Sequence, residues 1–202
     1  MKIYQRNTKS GFTIVELLVS IGIFAMMTAL LLAKYGNFNQ GVILTNLAYD
    51  VALTIRNAQS YGLNVKSATR VTNDFSKPYG VRLSCDATTT TIPANGVDNT
   101  YFIFYSDTDG SGTYSTGDGV ISTTFYTRGA RTGSIYETSD PGTCGASKYV
   151  DIVFKRPDPN AIIKVNGGPT ALSNIYITVK ALDGSTRKIL VNSNGQISVV
   201  PL

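Results

Sequence analysis

Residues 12–33 form an apolar stretch of 22 residues that carries one charge, Glu16. About 20 such residues cross a bilayer's hydrocarbon core, so the stretch predicts a membrane-spanning helix. Lys2, Arg6 and Lys9 precede it. The positive-inside rule then predicts a cytoplasmic N-terminus, with the rest of the chain outside the membrane. A cleaved secretory signal fits poorly, because the apolar stretch is too long and no small-x-small site closes it. A carboxylate near the start of such a helix costs roughly 2.5–3.5 kcal/mol on insertion and needs a partner.

The segment Lys9-Ser10-Gly11-Phe12-Thr13-Ile14-Val15-Glu16-Leu17-Leu18-Val19 resembles the processing site of type IV pilins and type II secretion pseudopilins. The resemblance covers about the first 35 residues. It implies that a membrane aspartyl protease, the prepilin peptidase, cuts between Gly11 and Phe12 and methylates the new Phe12 amine. It also implies that an inner-membrane assembly platform lifts the subunit out of the lipid into a filament with other copies or related pilins. There Glu16 would face the Phe12 amine of a neighbour. An amine and a carboxylate buried among apolar helices each need the other, and their pairing would fix the register between subunits.

The formal charge of +5 misleads about partners. Without residues 1–11 the chain keeps 15 basic and 13 acidic residues, a charge of +2. Arg128 with Arg131, Lys155 with Arg156, and Arg187 with Lys188 form only small separated pairs, and phosphate recognition needs several convergent cations. Solvated surface charge is the plainer reading and DNA is not an expected partner. A surface binding module for DNA uptake or adhesion, delivered by the same anchor, is the alternative function.

No proline occurs before Pro78, so one helix can run from Phe12 to about Gly62, roughly 75 Å at 1.5 Å per residue. Gly36, Asn37, Asn39 and Gly41 predict a bend or local melting. Beyond them Leu44, Leu47, Val51, Ile55 and Ala58 recur at helical spacing, while Asn46, Asp50, Arg56 and Asn57 fill other faces. Residues 47–61 resemble the corresponding helix of minor pseudopilins of the type II secretion "H" kind.

Past Lys77-Pro78 the pattern turns to short β-branched and aromatic runs: Tyr79–Ser84, Tyr101–Ser106, Val120–Tyr126 and Tyr149–Lys155. Ile175–Leu182 and Arg187–Asn192 flank Asp183-Gly184, a hairpin signal, and Gln196–Val200 follows Asn194-Gly195 to close a three-stranded meander. Thr88–Thr91 and Gly129–Gly145 read as loops. The expected fold is α+β: residues 1–11 a leader, 12–33 a membrane and polymerisation helix, 34–62 its amphipathic half, and 63–202 a head with a small antiparallel sheet.

A second motif runs from Asp107 to Asp118, 12 residues. Laid on an EF-hand calcium loop, Asp107, Asp109 and Ser111 take the first, third and fifth places, and Gly112 the sixth, where the turn is sharp. Thr113 would offer its carbonyl, Ser115 could act through a water, and Asp118 closes the loop. Asp in the last place and Ser in the fifth predict weak affinity, on the order of 10⁻⁴–10⁻³ M. The flanks read as strands, so this would be a calcium loop without the EF-hand fold. The other reading is a solvated hairpin loop capped by its own side chains.

Cys85 and Cys144 are the two cysteines. In an exported chain an intramolecular disulfide is expected, closing a loop of about 60 residues and contributing roughly 2–4 kcal/mol. Two unpaired buried thiols are the alternative. The chain has no histidine, no zinc-type cysteine spacing and no phosphate-binding glycine loop, so it is expected to be a peptidase substrate and not an enzyme.

Overall fold

The computed structural model describes residues 11–64, 76–85, 98–137, 148–168 and 171–200. The fold is α+β, with one helix and nine strands among those residues. The helix, α1, is Ile14–Leu63, and its backbone stays helical through Gly36 and Gly41. The local melting expected at those glycines is therefore not found, because hydrogen bonds from residues on either side carry the helix through. The chain divides into two units, Met1–Asn39 and Gln40–Leu202.

The first unit contains the apolar half of α1. Ile14–Ala33 is long and apolar enough to cross a membrane, and none of it is buried within the structure. Thr13 caps the helix: its Oγ1 accepts a hydrogen bond from the Glu16 amide at 3.2 Å.

The second unit is built on the amphipathic half of α1. Leu44, Leu47, Ala48, Val51, Ala52, Ile55 and Ala58 are all buried, so the apolar row read from the sequence is the face that enters the core. Asn46, Asp50, Arg56 and Asn57 are exposed. Each buried leucine or isoleucine contributes roughly 1.5–3 kcal/mol relative to exposure.

The strands form two antiparallel sheets rather than the single small sheet expected. Sheet A contains β1 (Tyr79–Ser84), β2 (Tyr101–Ser106), β3 (Gly119–Phe125), β5 (Tyr149–Lys155) and β6 (Asp158–Val165), in the order β3-β2-β1-β5-β6. Sheet B contains β4 (Arg131–Tyr136), β7 (Asn174–Lys180), β8 (Thr186–Asn192) and β9 (Ile197–Val200), in the order β4-β7-β8-β9. β1, β2 and β5 fall at the bounds read from the sequence. The meander β7-β8-β9 is present, with a fourth strand added.

Two strands escape the sequence reading. β4 lies inside Gly129–Gly145, read as a loop, because Gly133 and Ser134 break its apolar alternation and its pairing with β7 shifts register between Thr132 and Ile135. β6 opens on Asp158-Pro159, which suits only a sheet edge. Thr88–Thr91 lies outside the described residues.

One core joins the helix and both sheets. Tyr79, Val81, Leu83, Phe102, Phe104, Ile152, Phe154 and Ile163 enter it from sheet A, and Ile135, Ile175, Ile177, Val179, Ile189 and Val191 from sheet B. Polar contacts hold the helix end in place. Arg56 donates to the Ile197 carbonyl at 3.1 Å, and the Gln59 amide to the Gly195 carbonyl at 3.1 Å. Gly62 meets β5 so closely that a Cβ there would stand 2.5 Å from the Phe154 carbonyl oxygen.

Alanine at position 62 raises intrinsic helix propensity by up to about 1 kcal/mol, least of all at a helix end. Backbone cannot yield as a flexible side chain can, and overpacking costs about 1–3 kcal/mol. Gly62→Ala is therefore expected to lower stability in chemical denaturation. A variant as stable as the wild type would show that the helix end has room to move.

Candidate functional site: the N-terminal motif and the acidic loop

Gly11 and Phe12 directly precede the helix cap, and both are exposed. Glu16 sits in the first turn of α1, where a carboxylate also favours the helix dipole.

Asp107–Asp118 is the connection from β2 to β3, strand-flanked as the sequence predicted. The carboxylates of Asp107, Asp109 and Asp118 present oxygens that lie within 4.8 Å of one another. Oxygens around one calcium at 2.3–2.6 Å would be separated on that scale, so this donor set fits a hard cation. Gly112, in the sixth place, has φ +73°, a conformation that a side chain resists. Ser111 Oγ donates to the Thr113 carbonyl at 2.9 Å, which brings the remaining two expected ligands together.

The loop also satisfies itself. Asp107, 0% exposed, accepts the Gly110 and Gly112 amides at 2.8 Å and the Ser111 amide at 3.2 Å. Asp118 accepts the Thr108 and Ser115 amides at 2.8 and 2.6 Å. Asp109 accepts the Ser111 amide at 2.8 Å. Burial pushes the Asp107 carboxyl up to about 6, against the pull of the Gly112 amide. Hydrogen bonds from Ser111 hold Asp109 below the ordinary carboxylate range. Two ammonium groups bind the loop's carbonyls: Lys77 at Thr108, 2.7 Å, and Lys164 at Ser111, 2.8 Å.

Beneath the loop lies a charge pair that the sequence reading did not single out. Arg82 on β1 and Asp151 on β5 are register partners on the face of sheet A opposite the core, 3% and 0% exposed. Arg82 Nε donates to Asp151 Oδ1 at 2.8 Å and its Nη2 to Oδ2 at 2.5 Å. Tyr105 Oη and the Tyr114 amide also donate to Asp151 Oδ1, at 3.1 and 3.2 Å. The Arg82 guanidinium lies 4.1 Å from the Tyr149 ring centroid and 5.2 Å from that of Tyr114. Burial opposes the Arg82 charge, but the bonds to Asp151 outweigh it and hold the group above its ordinary value. Tyr114 belongs to the acidic loop, so the pair ties that loop to the two strands in the middle of the sheet. The available signal was one charge flanked by apolar residues in each of two strands, Val81-Arg82-Leu83 and Val150-Asp151-Ile152.

Among the other expected site residues, Cys85 is not a free thiol. Cys85 is buried after β1, and Cys144 lies outside the described residues. The basic pairs stay dispersed: Arg187 reaches Thr45 on α1 at 3.3 Å, while Lys188 lies over the Tyr136 and Tyr176 rings.

Against known proteins, residues 6–32 match the family described as the prokaryotic N-terminal methylation motif. No curated protein and no solved structure matches the chain. The motif and the apolar helix behind it support a type IV pilin- or pseudopilin-like structural subunit. Such a motif implies processing by a peptidase and assembly with other pilins.

Removing one member of a buried ion pair strands the other and costs about 3–5 kcal/mol, whereas replacing both with apolar residues is far milder. Asp151→Ala is expected to destabilise the chain on that scale, and the double variant Arg82→Met with Asp151→Leu to recover part of the loss, because the Tyr105 hydroxyl and Tyr114 amide still lack their acceptor. Equal losses in the two variants, measured by chemical denaturation, would show that the pair does not act as a unit.

Proposed function

We propose that the chain is a prepilin cut between Gly11 and Phe12, methylated at Phe12, and polymerised through the first half of α1 into a type IV pilus or a type II secretion pseudopilus. The observation that carries this is the methylation motif at residues 6–32, running into an apolar helix whose one charge is Glu16. Before assembly the helix lies in the inner membrane, with its N-terminus cytoplasmic and the second unit outside. Glu16 pairs with the Phe12 amine of a neighbour, and loss of that pairing leaves a buried carboxylate without compensation. Cys85, which is not a free thiol, pairs with Cys144. The second unit is a head of minor-pseudopilin-like architecture.

The chain recovered from membranes or sheared filaments is expected to begin at N-methylated Phe12, read by intact mass and N-terminal sequencing. Glu16→Ala is expected to be processed normally and to lose filament assembly. A chain that still begins at Met1 in cells with an active prepilin peptidase would overturn the reading.

The acidic loop is proposed to take calcium through Asp107, Asp109, the Ser111 hydroxyl, the Thr113 carbonyl and Asp118. The convergence of the three carboxylates supports this. The cation would supply fixed positive charge and hold the β2–β3 connection in one shape. With affinity on the order of 10⁻⁴–10⁻³ M, 10 mM calcium should stabilise the unit by about 1.4–2.7 kcal/mol. The Tm should rise with calcium in the wild type and much less in Asp109→Asn, whose amide oxygen can keep the bond from the Ser111 amide. Identical melting with calcium and with chelator would remove the proposal.

A further inference from the structure

The bond that the peptidase would break lies just outside α1, and the structure shows what stops the helix short of it. The first bond of the helix ladder runs from the Leu17 amide to the Thr13 carbonyl at 3.1 Å. One residue earlier the ladder is interrupted. The Glu16 amide, which in a longer helix would reach the Phe12 carbonyl, donates instead to Thr13 Oγ1 at 3.2 Å. Gly11, Phe12 and Thr13 are non-helical and exposed. Among the described residues no hydrogen bond reaches the Gly11 or Phe12 carbonyl. A Cβ at Gly11 would meet nothing within 4 Å, so that side of the chain is open.

This arrangement bears on the chemistry of cleavage. Hydrolysis adds water across the Gly11–Phe12 bond. The water oxygen bonds to the Gly11 carbonyl carbon, the bond to the Phe12 nitrogen breaks, and a proton from the water goes to the leaving amine. In a helix that began one turn earlier, the Gly11 carbonyl would accept the Val15 amide. Its oxygen would then be occupied, and its carbon covered by the first turn. The sequence offers such a start. Ser10 stands three residues before Thr13, the spacing at which a serine caps a helix, and no proline separates it from Ile14. Gly11 alone resists helix there. The Thr13 hydroxyl favours the later start.

We propose that Thr13 is a positioning residue for prepilin cleavage: its hydroxyl caps α1 and keeps the Gly11–Phe12 bond out of the helix, open to the peptidase. The inference rests on the processing reading above and adds to it a residue that acts through the helix start. The matched motif, residues 6–32, contains both the bond and the cap.

The test is the initial rate at which purified prepilin peptidase cuts the full-length chain in detergent, well below saturation, read by intact mass. Thr13→Val keeps the side chain's shape and loses its acceptor. Thr13→Ser and Thr13→Asn keep an acceptor on different shapes. Rates are expected to follow capping strength. Thr13→Val should be cut about fivefold more slowly, the equivalent of the ~1 kcal/mol of a typical cap. The serine and asparagine variants should stay within about twofold of the wild type, because both residues cap well. In the same micelles the Cα chemical shifts of Gly11 and Phe12 should move toward helical values in Thr13→Val alone. Thr13→Val cut at the wild-type rate, Thr13→Asn cut as slowly as Thr13→Val or more so, or a slow Thr13→Val whose shifts stay non-helical would each overturn the inference. Each would leave the processing reading intact. A wild-type chain that the peptidase does not cut between Gly11 and Phe12 would overturn both.

Discussion

Everything in the second unit depends on one helical face. Leu44, Leu47, Val51, Ile55 and Ala58 form a single apolar row, and the core faces of both sheets pack in one cluster with it. The face cannot remain in water, and neither sheet has a complete core without it. Helix and sheets are therefore one cooperative body, although the helix comes from a segment whose first half has a different task. Gly62 shows how tightly the join is made, since α1 approaches β5 at a place where a single methyl group would meet backbone.

The division of labour along α1 follows from chemistry alone. From Phe12 to Ala33 apolar residues surround the helix, broken by the single charge of Glu16, which suits lipid or other helices. From Val42 onward the apolar residues narrow to a stripe and polar residues return. The boundary between the units falls close to this change of pattern.

Most of this was legible in the sequence, and the exceptions have physical causes. β1, β2 and β5 could be read to the residue because they are buried over nearly their whole length and are dense in β-branched and aromatic residues. That burial is also what hid the two-sheet architecture. Ile103, Tyr105 and Val153 form a second, smaller cluster with Tyr114 on the outer face of sheet A, so alternation could not show which side was the core. β4 was hidden by Gly133 and its shifted register, β6 by its opening proline. In the acidic loop the ligand types and spacing were visible. The amides that occupy the same carboxylates were not, and neither were the lysines that reach the loop from Lys77 and Lys164, because these are contacts of the folded backbone. The Arg82–Asp151 pair was out of reach for a simpler reason: two residues 69 apart in sequence become neighbours only through strand register.

The attachment of the acidic loop to Asp151 sets how the head opens. Surface hairpin loops ordinarily fray on their own, at little free-energy cost. Here the Tyr114 amide and ring are held by a carboxylate and an arginine at the centre of sheet A, and Lys164 reaches across from β6 to the Ser111 carbonyl. The loop cannot peel away without breaking contacts to β1, β5 and β6. In hydrogen-exchange terms the amides of Gly110, Gly112 and Tyr114 belong with the central strands, and a loop at the surface opens as part of the sheet's own cooperative unit.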